Sequence, residues 1–210
     1  MRPHPLASAI AWLARTATKV TVRNVGHEFR GAQTIYFANH SSHVDFVIVW
    51  ATIPKEFRAD VRPVAAADYW AKGMRRRLAE DVFRAVLVNR HAGTDLSAAR
   101  STVDQLVESM GDHGSLILFP EGSRSEGEEI GAFHSGIVAI CKRLPSVELV
   151  PTLIEGTQRV LPKGEFLPVP LLCRVTYGEP LYFDASEPRH AFLGRLRNSL
   201  ADLRNEEITR

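Results

Sequence analysis

The sequence predicts one α/β domain, with a mostly parallel central sheet flanked by helices and an N-terminal amphipathic helix. Three observations predict it. Short apolar runs alternate with stretches of helical periodicity, as strand–helix units on a parallel sheet do. The chain has 210 residues, 45% of them apolar, which suits one sizeable core. No repeat or low-complexity segment divides it, and the Gly- and Pro-rich stretches at 122–131 and 162–170 are too short for domain linkers.

Leu6, Ile10, Leu13, Ala17 and Val20 recur at helical spacing, while Arg15, Lys19 and Arg23 repeat on another face. Residues 1–23 therefore read as a basic amphipathic helix within the same domain. Two roles fit it: covering the core, or lying on an anionic membrane with Trp12 near the headgroups. Thr34–Ala38 reads as a strand and Val44–Ile53 as an apolar helix. Arg62–Ala66 reads as a strand, with a helix around Tyr69–Val82 and a strand at Ala85–Val88. Asp95–Met110 is an amphipathic helix that places Leu96, Ala99, Val103, Leu106 and Met110 on one side, with Gly111 and Gly114 at its end. Ser115–Phe119 is a short buried strand and Ser135–Arg143 a short helix. Glu148–Ile154 and Arg174–Tyr177 are strands, and Pro188–Arg204 closes the chain as a helix.

Composition excludes several classes. The formal charge of +2 gives no overall pull toward nucleic acid. Cys141 and Cys173 lie far apart without C-x-x-C spacing, so buried free thiols are expected rather than a disulfide framework or zinc knuckle. No apolar run is long enough for a transmembrane helix. Arg15 and Lys19 cut short the stretch that resembles a signal peptide.

Asn39–Phe46, N-H-S-S-H-V-D-F, puts two histidines and an aspartate directly after an apolar run. Three readings compete. As metal ligands, His40, His43 and Asp45 resemble only loosely the H-x-H-x-D-H run of binuclear hydrolases. The middle spacing is wrong, and Phe46 stands where the last histidine would be; no metal site is expected. As an acid–base pair, His40 and Asp45 are five positions apart, roughly 500° of turn on an ideal helix. They meet if His40 sits in the turn before the helix and Asp45 in its first turn. Asp45 would then steer one imidazole nitrogen while the other takes a proton from a hydroxyl. As a cap, Asp45 or Ser41 merely starts the helix.

Phe119–Ser125, F-P-E-G-S-R-S, favours the acid–base pair. It follows a buried strand that Pro120 ends, and strand ends of this kind form the ligand-binding edge of α/β sheets. Gly122 permits close approach to the backbone, and Arg124 offers a planar fork to a phosphate. Taken alone, the segment also fits a surface turn with a Glu–Arg pair.

N-H-S-S-H-V-D-F resembles the H-x-x-x-x-D block of the glycerophospholipid acyltransferases, and F-P-E-G-S-R-S resembles their F-P-E-G-[ST]-R-S block. V-L-V-N-R (Val86–Arg90), F-H-S-G (Phe133–Gly136) and L-V-P-T-L-I-E-G (Leu149–Gly156) are similar to further blocks in the same order. The resemblance implies an acyltransferase domain over 24–210 that moves an acyl group from a thioester to a glycerol hydroxyl. It makes His40 the general base and Asp45 its orienting carboxylate. Arg90 and Arg124 would bind the phosphate of a lysophospholipid, with Glu121, Gly122 and Ser123 in the substrate loop, where backbone N–H groups could face an oxyanion. Glu121 would hold the loop or contact an acceptor hydroxyl. Asn39 and Pro120 would support the site, and His43 would be structural or a weak contact. The implied acceptor is foremost 1-acylglycerol-3-phosphate, giving phosphatidate, or another lysolipid or glycolipid. The implied donor is acyl-coenzyme A or an acyl carrier protein, with no other cofactor, at the cytoplasmic face of a membrane held peripherally.

Asn89 departs from the family's usual Asp before Arg90. Lys72, Arg75, Arg76 and Arg77, beside Trp70 and Met74, form a second basic cluster. It would face anionic headgroups, the phosphates of coenzyme A, or solvent. A metal-dependent hydrolase and a non-catalytic lipid-binding protein are the rival readings. No G-x-S-x-G is present for a serine hydrolase.

Overall fold

The computed structural model describes residues 4–70, 73–89, 96–125, 129–157 and 172–205. Among them, seven strands form one sheet: β1 (Thr21–Asn24), β2 (Thr34–Ala38), β3 (Val61–Ala66), β4 (Val86–Val88), β5 (Ser115–Leu118), β6 (Glu148–Glu155) and β7 (Arg174–Tyr177). Their spatial order is β1-β7-β6-β2-β5-β3-β4. The five strands from β6 to β4 run parallel, and only the β6–β7 pairing is antiparallel. The predicted α/β architecture is therefore the one observed.

Alternation along the strands builds two apolar layers, because successive side chains leave opposite faces of a sheet. Tyr36, Ala38, Ile117, Val150 and Ile154 join one layer, with α1 (Pro5–Thr18) and α2 (Asp45–Thr52). Ile35, Phe37, Leu116, Leu149 and Leu153 join the other, with α5 (Leu96–Met110), α6 (Gly136–Arg143) and α7 (Arg189–Asn205). β2 is buried on both faces along its whole length, as the central strand of a covered parallel sheet should be.

Connectivity determines where a ligand can enter. β2 leads through α2 to β3 on one face, and β5 leads through α6 to β6 on the other. β2 and β5 are hydrogen-bonded neighbours. Their following loops thus diverge to opposite faces, which opens a crevice at the carboxyl ends of the two strands.

The N-terminal segment departs from expectation in two ways. The helix closes at Thr18, with Lys19 in the left-handed region (φ 43°). Residues 21–24 instead form β1, parallel to β7; Val20 and Arg23 are not helical, and the boundary at 23 is corrected to 18. The packing also splits the apolar stripe. Ala7 and Ala11 are buried, while Leu6, Trp12 and Leu13 are exposed. Small side chains let α1 lie close to α2, Ile10 packs partly buried against the core, and Leu6, Trp12 and Leu13 are turned outward. Arg15 does not join a free basic face: its guanidinium donates to Ala51 O (3.3 Å), and Arg58 donates to Ala51 O (2.5 Å) and Ile53 O (2.6 Å). Two cations thereby meet the carbonyl end of α2, where its dipole is negative.

The helix predicted over Tyr69–Val82 is broken into α3 (Ala67–Trp70), α4 (Gly73–Arg77) and a π-helical turn, Leu78–Val82. Gly73, at φ 60°, prevents a continuous helix through its position. Cys141 and Cys173 are free and buried, and burial pushes their thiols up to about 12 and about 11.

His27 is buried among Phe29, Tyr36 and Tyr177, with ring centroids at 4.6, 5.7 and 6.1 Å. Neither ring nitrogen has a hydrogen-bond partner among the described residues. Burial lowers its pKa below the ordinary 6.5, against the opposing pull of Glu148. The imidazole is then neutral in the fold and takes up a proton on unfolding. Its contribution is present above about pH 6.5 and is lost as pH falls. Urea unfolding from pH 7.5 to 5 should show stability declining, and His27→Phe should flatten that decline.

Candidate active site

The crevice is lined by the loops after β2 and β5. The chain leaves β2 at Ala38, and Asn39 ties it to β6: its amide donates to Ile154 O (2.9 Å) and accepts from Ile154 N–H (2.8 Å). An asparagine side chain thus continues the sheet's hydrogen bonding one residue beyond the strand. His40 follows, then the Ser41–Val44 turn, then Asp45 as the first residue of α2.

Asp45 is fully buried. Its Oδ2 accepts three hydrogen bonds: from His40 Nδ1 (2.9 Å), Ser41 N–H (2.7 Å) and Ser42 N–H (2.8 Å). Against a carboxylate Nδ1 is the donor, so Nε2 is the nitrogen left for a substrate proton. Oδ1 is buried without a hydrogen-bond partner among the described residues. The N-terminal dipole of α2 favours negative charge at this position. The acid–base pairing of His40 with Asp45 and the turn-closing contact are therefore one arrangement: the same oxygen does both.

The β5 loop grips the backbone of His40 from both sides. Glu121 Oε1 accepts His40 N–H (2.8 Å), while Ser125 donates to His40 O through N–H (2.9 Å) and Oγ (3.0 Å). Glu121 Oε2 accepts Gly131 N–H (2.9 Å). Both oxygens of this buried carboxylate are thus taken by main-chain donors, which makes Glu121 a clamp between segments. Phe119, the residue after β5, lies against the His40 ring with centroids 4.4 Å apart.

Pro120 is buried and accepts His134 N–H (2.8 Å). Gly122 takes φ 69° in a tight turn whose N–H donates to Phe119 O. A Cβ there would come within 2.9 Å of His134. The group that approaches this glycine closely is therefore the chain's own His134. Ser123 is exposed and Arg124 half-buried at the mouth. Arg90 lies outside the described residues.

The sequence reading missed several members: Ser125, Phe119, and Thr157, whose hydroxyl meets Ser41 Oγ at 3.0 Å. Phe119 and Ser125 sit inside the quoted block, so their position was a usable signal; Thr157 carries none. His43 lies against Tyr69, and its pKa is pushed down to about 4, by burial first and then by Arg124, His40 and Arg75. Among the described residues no three His, Cys, Asp or Glu side chains converge as a metal site.

Fold and site together define an α/β protein with a carboxylate-steered histidine at a sheet switch point. The family model Acyltransferase matches residues 19–155, more than half of the 210-residue chain, and the chain belongs to that family. It is 27% identical over 190 residues to a 1-acyl-sn-glycerol-3-phosphate acyltransferase of Limnanthes douglasii, covering 86% of this chain and 60% of that protein. It is 28% identical over 162 residues to one of Cocos nucifera, covering 76% of this chain and 49% of that protein. The chain thus spans about half to three fifths of the length of these relatives. Its fold matches the crystal structure of the 1-acyl-sn-glycerophosphate acyltransferase PlsC from Thermotoga maritima. The TM-score is 0.67 at 20% identity, over 95% of this chain and 78% of that one.

Glu121→Ala should leave two main-chain donors without their acceptor and cost about 1–3 kcal/mol of folding stability. Glu121→Gln, which keeps one acceptor oxygen, should lose less. Urea titration of the three proteins checks the order.

Proposed function

We propose that this chain transfers a fatty acyl group from a thioester to the free hydroxyl of a lysophospholipid, foremost 1-acylglycerol-3-phosphate, giving phosphatidate. The observation that carries the reading is the His40–Asp45 pair, 2.9 Å apart and locked at the crevice by Glu121 and Ser125. The named relatives support the acceptor. The donor is acyl-coenzyme A or an acyl carrier protein.

A hydroxyl is a poor nucleophile until its proton is removed. His40 Nε2 takes that proton as the oxygen attacks the thioester carbonyl, and Asp45 stabilises the imidazolium. The tetrahedral oxyanion collapses and breaks the C–S bond. The departing thiolate takes the proton back from His40, leaving an ester, a thiol and the original imidazole. Gly122 N–H is committed to Phe119 O, so Glu121 and Ser123 N–H are the loop's candidates for oxyanion donors. Arg124 holds the acceptor's phosphate, and Arg90 is proposed as a second cation.

Attachment to the membrane is peripheral, at its cytoplasmic face. Among the described residues no helix is long and apolar enough to cross a membrane. Leu6, Trp12 and Leu13 stand 50%, 68% and 60% exposed on a helix anchored through Ala7 and Ala11. Leu172, also exposed, lies next to Cys173, whose N–H donates to Thr18 O at the end of the same helix. A rigid helix with outward leucines and a tryptophan suits an interfacial position.

His40→Ala should reduce transfer by on the order of 10²–10⁴-fold. The fold should survive, because Asp45 keeps its bonds to Ser41 and Ser42. Lipid mass spectrometry with an acceptor-and-donor panel reads the loss, and normal turnover would end the mechanism. Trp12→Ser with Leu13→Ser should weaken binding to anionic vesicles in flotation assays while leaving thermal stability near wild type.

A further inference from the structure

Asn39 and Ser41 flank His40, and both are tied to the same neighbour, the carboxyl end of β6. Asn39 holds Ile154 through its amide. Ser41 Oγ meets Thr157 Oγ1 at 3.0 Å. His40, between them, is held from the other side by Glu121 and Ser125 of the β5 loop. The segment after β2 thus keeps the habit of a central parallel strand, whose successive residues bond alternately to the two flanking strands. Beyond Ala38 the partners are side chains.

The place of Thr157 is set by its own surroundings. β6 ends at Glu155. Gly156, at φ 85°, then turns the chain against Leu172, whose carbonyl leaves no room for a side chain there. Thr157 follows at 1% exposure, while Ser41 is half-buried. Burial decides which hydroxyl donates. Ser41 Oγ is the one hydrogen-bond partner of the Thr157 hydroxyl among the described residues, and a buried donor left unused is costly. Thr157 is therefore the donor and Ser41 the acceptor.

The main chain of Ser41 connects this contact to the proton-handling pair. Its N–H is the nearest of the three donors on Asp45 Oδ2, at 2.7 Å against 2.8 Å from Ser42 and 2.9 Å from His40 Nδ1. Asp45 Oδ1 has no hydrogen bond among the described residues. A displaced Ser41 therefore takes from the carboxylate a donor that nothing in the turn replaces. The His40 ring shares that oxygen and would follow its movement.

We propose that Thr157 is a positioning residue: its hydroxyl, donating to Ser41, fixes the Asp45 carboxylate and through it the His40 ring. The proposal rests on the acyl-transfer reading and makes the end of β6 a support of the site opposite the β5 loop. Thr157 acts through Ser41 and not on a reactant.

A double-mutant cycle on Thr157→Val and Ser41→Ala tests it. It is read by steady-state kinetics with lysophosphatidate and acyl-coenzyme A, and by hydrogen–deuterium exchange of peptides covering 39–46. Thr157→Val should lower kcat about tenfold with KM within about twofold, because a slightly misplaced base slows the chemical step and leaves reactant binding alone. Ser41→Ala should lose a similar factor. The double variant should lose no more than either single, since each removes the same bond. Thr157→Ser, which keeps the hydroxyl, should recover most of the kcat. Additive losses, a change confined to KM, or no recovery in Thr157→Ser would overturn the proposal. Should Thr157→Val fail to fold, Ser41→Ala breaks the bond from its half-buried side, and unchanged kcat there overturns it. If the wild type transfers no acyl group, the acyl-transfer reading falls. Faster exchange confined to 39–46 in Ser41→Ala and Thr157→Val would then still support the linkage from Thr157 to Asp45, and unchanged exchange would overturn it.

Discussion

A buried carboxylate is the constraint on which the site depends. Asp45 is removed from water at the start of α2, and an uncompensated buried charge is expensive. One oxygen collects a ring N–H and two main-chain N–H groups within 2.7–2.9 Å, and the first turn of the helix adds its dipole. Satisfying the charge requires Asn39–Val44 to curl back over the helix start. That curl is what points the His40 ring at its carboxylate. The other oxygen is left without a hydrogen bond among the described residues, so the whole satisfaction of the carboxylate falls on the turn that carries His40.

The sheet supplies the rigidity that a turn alone lacks. β2 and β5 pair directly, so the segments after them leave the sheet as neighbours. Glu121 and Ser125 exploit that proximity by binding both the N–H and the C=O of His40. Asn39 adds a third tether, to β6. Backbone held on three sides leaves the imidazole few orientations, and stacking on Phe119 removes more. Preorganisation of this kind would hold the proposed general base in place before substrate arrives.

How much of this was legible in the sequence follows from the range of each interaction. The strands at 34–38 and 115–118 are local patterns that period encodes; the spacing of His40 and Asp45 left a helix cap and an acid–base pair both open, and the Phe119–Ser125 block and the family resemblance favoured the pair. The bond between Glu121 and His40 spans 81 positions; a carboxylate in a loop shows its type in the sequence, not its partner. Thr157 and Tyr69 are ordinary residues made relevant by topology alone. β1 was hidden because T-V-R-N is short and exposed, and its strand character comes from pairing with β7. Lys19, which closes the preceding helix by adopting positive φ, is not a residue that announces a stop.

The orientation of α1 shows how a correct periodicity leaves open which face of a helix packs. Leu6, Ile10 and Leu13 do form a helical stripe, and burial energy scales with apolar area, so the stripe alone argues that they face the core. Ile10 does pack against the core, but Leu6 and Leu13 are exposed, and the fully buried positions are Ala7 and Ala11. Two considerations favour this choice. Alanines allow the helix to sit close to α2, and that closeness brings Arg15 to the carbonyl end of α2 at Ala51. The same choice leaves large apolar side chains in water, which folding alone does not reward. Exposed apolar area that a fold could have buried is best accounted for by a surface that covers it in use. For a chain proposed to meet a lipid acceptor, a bilayer interface is the surface of matching chemistry.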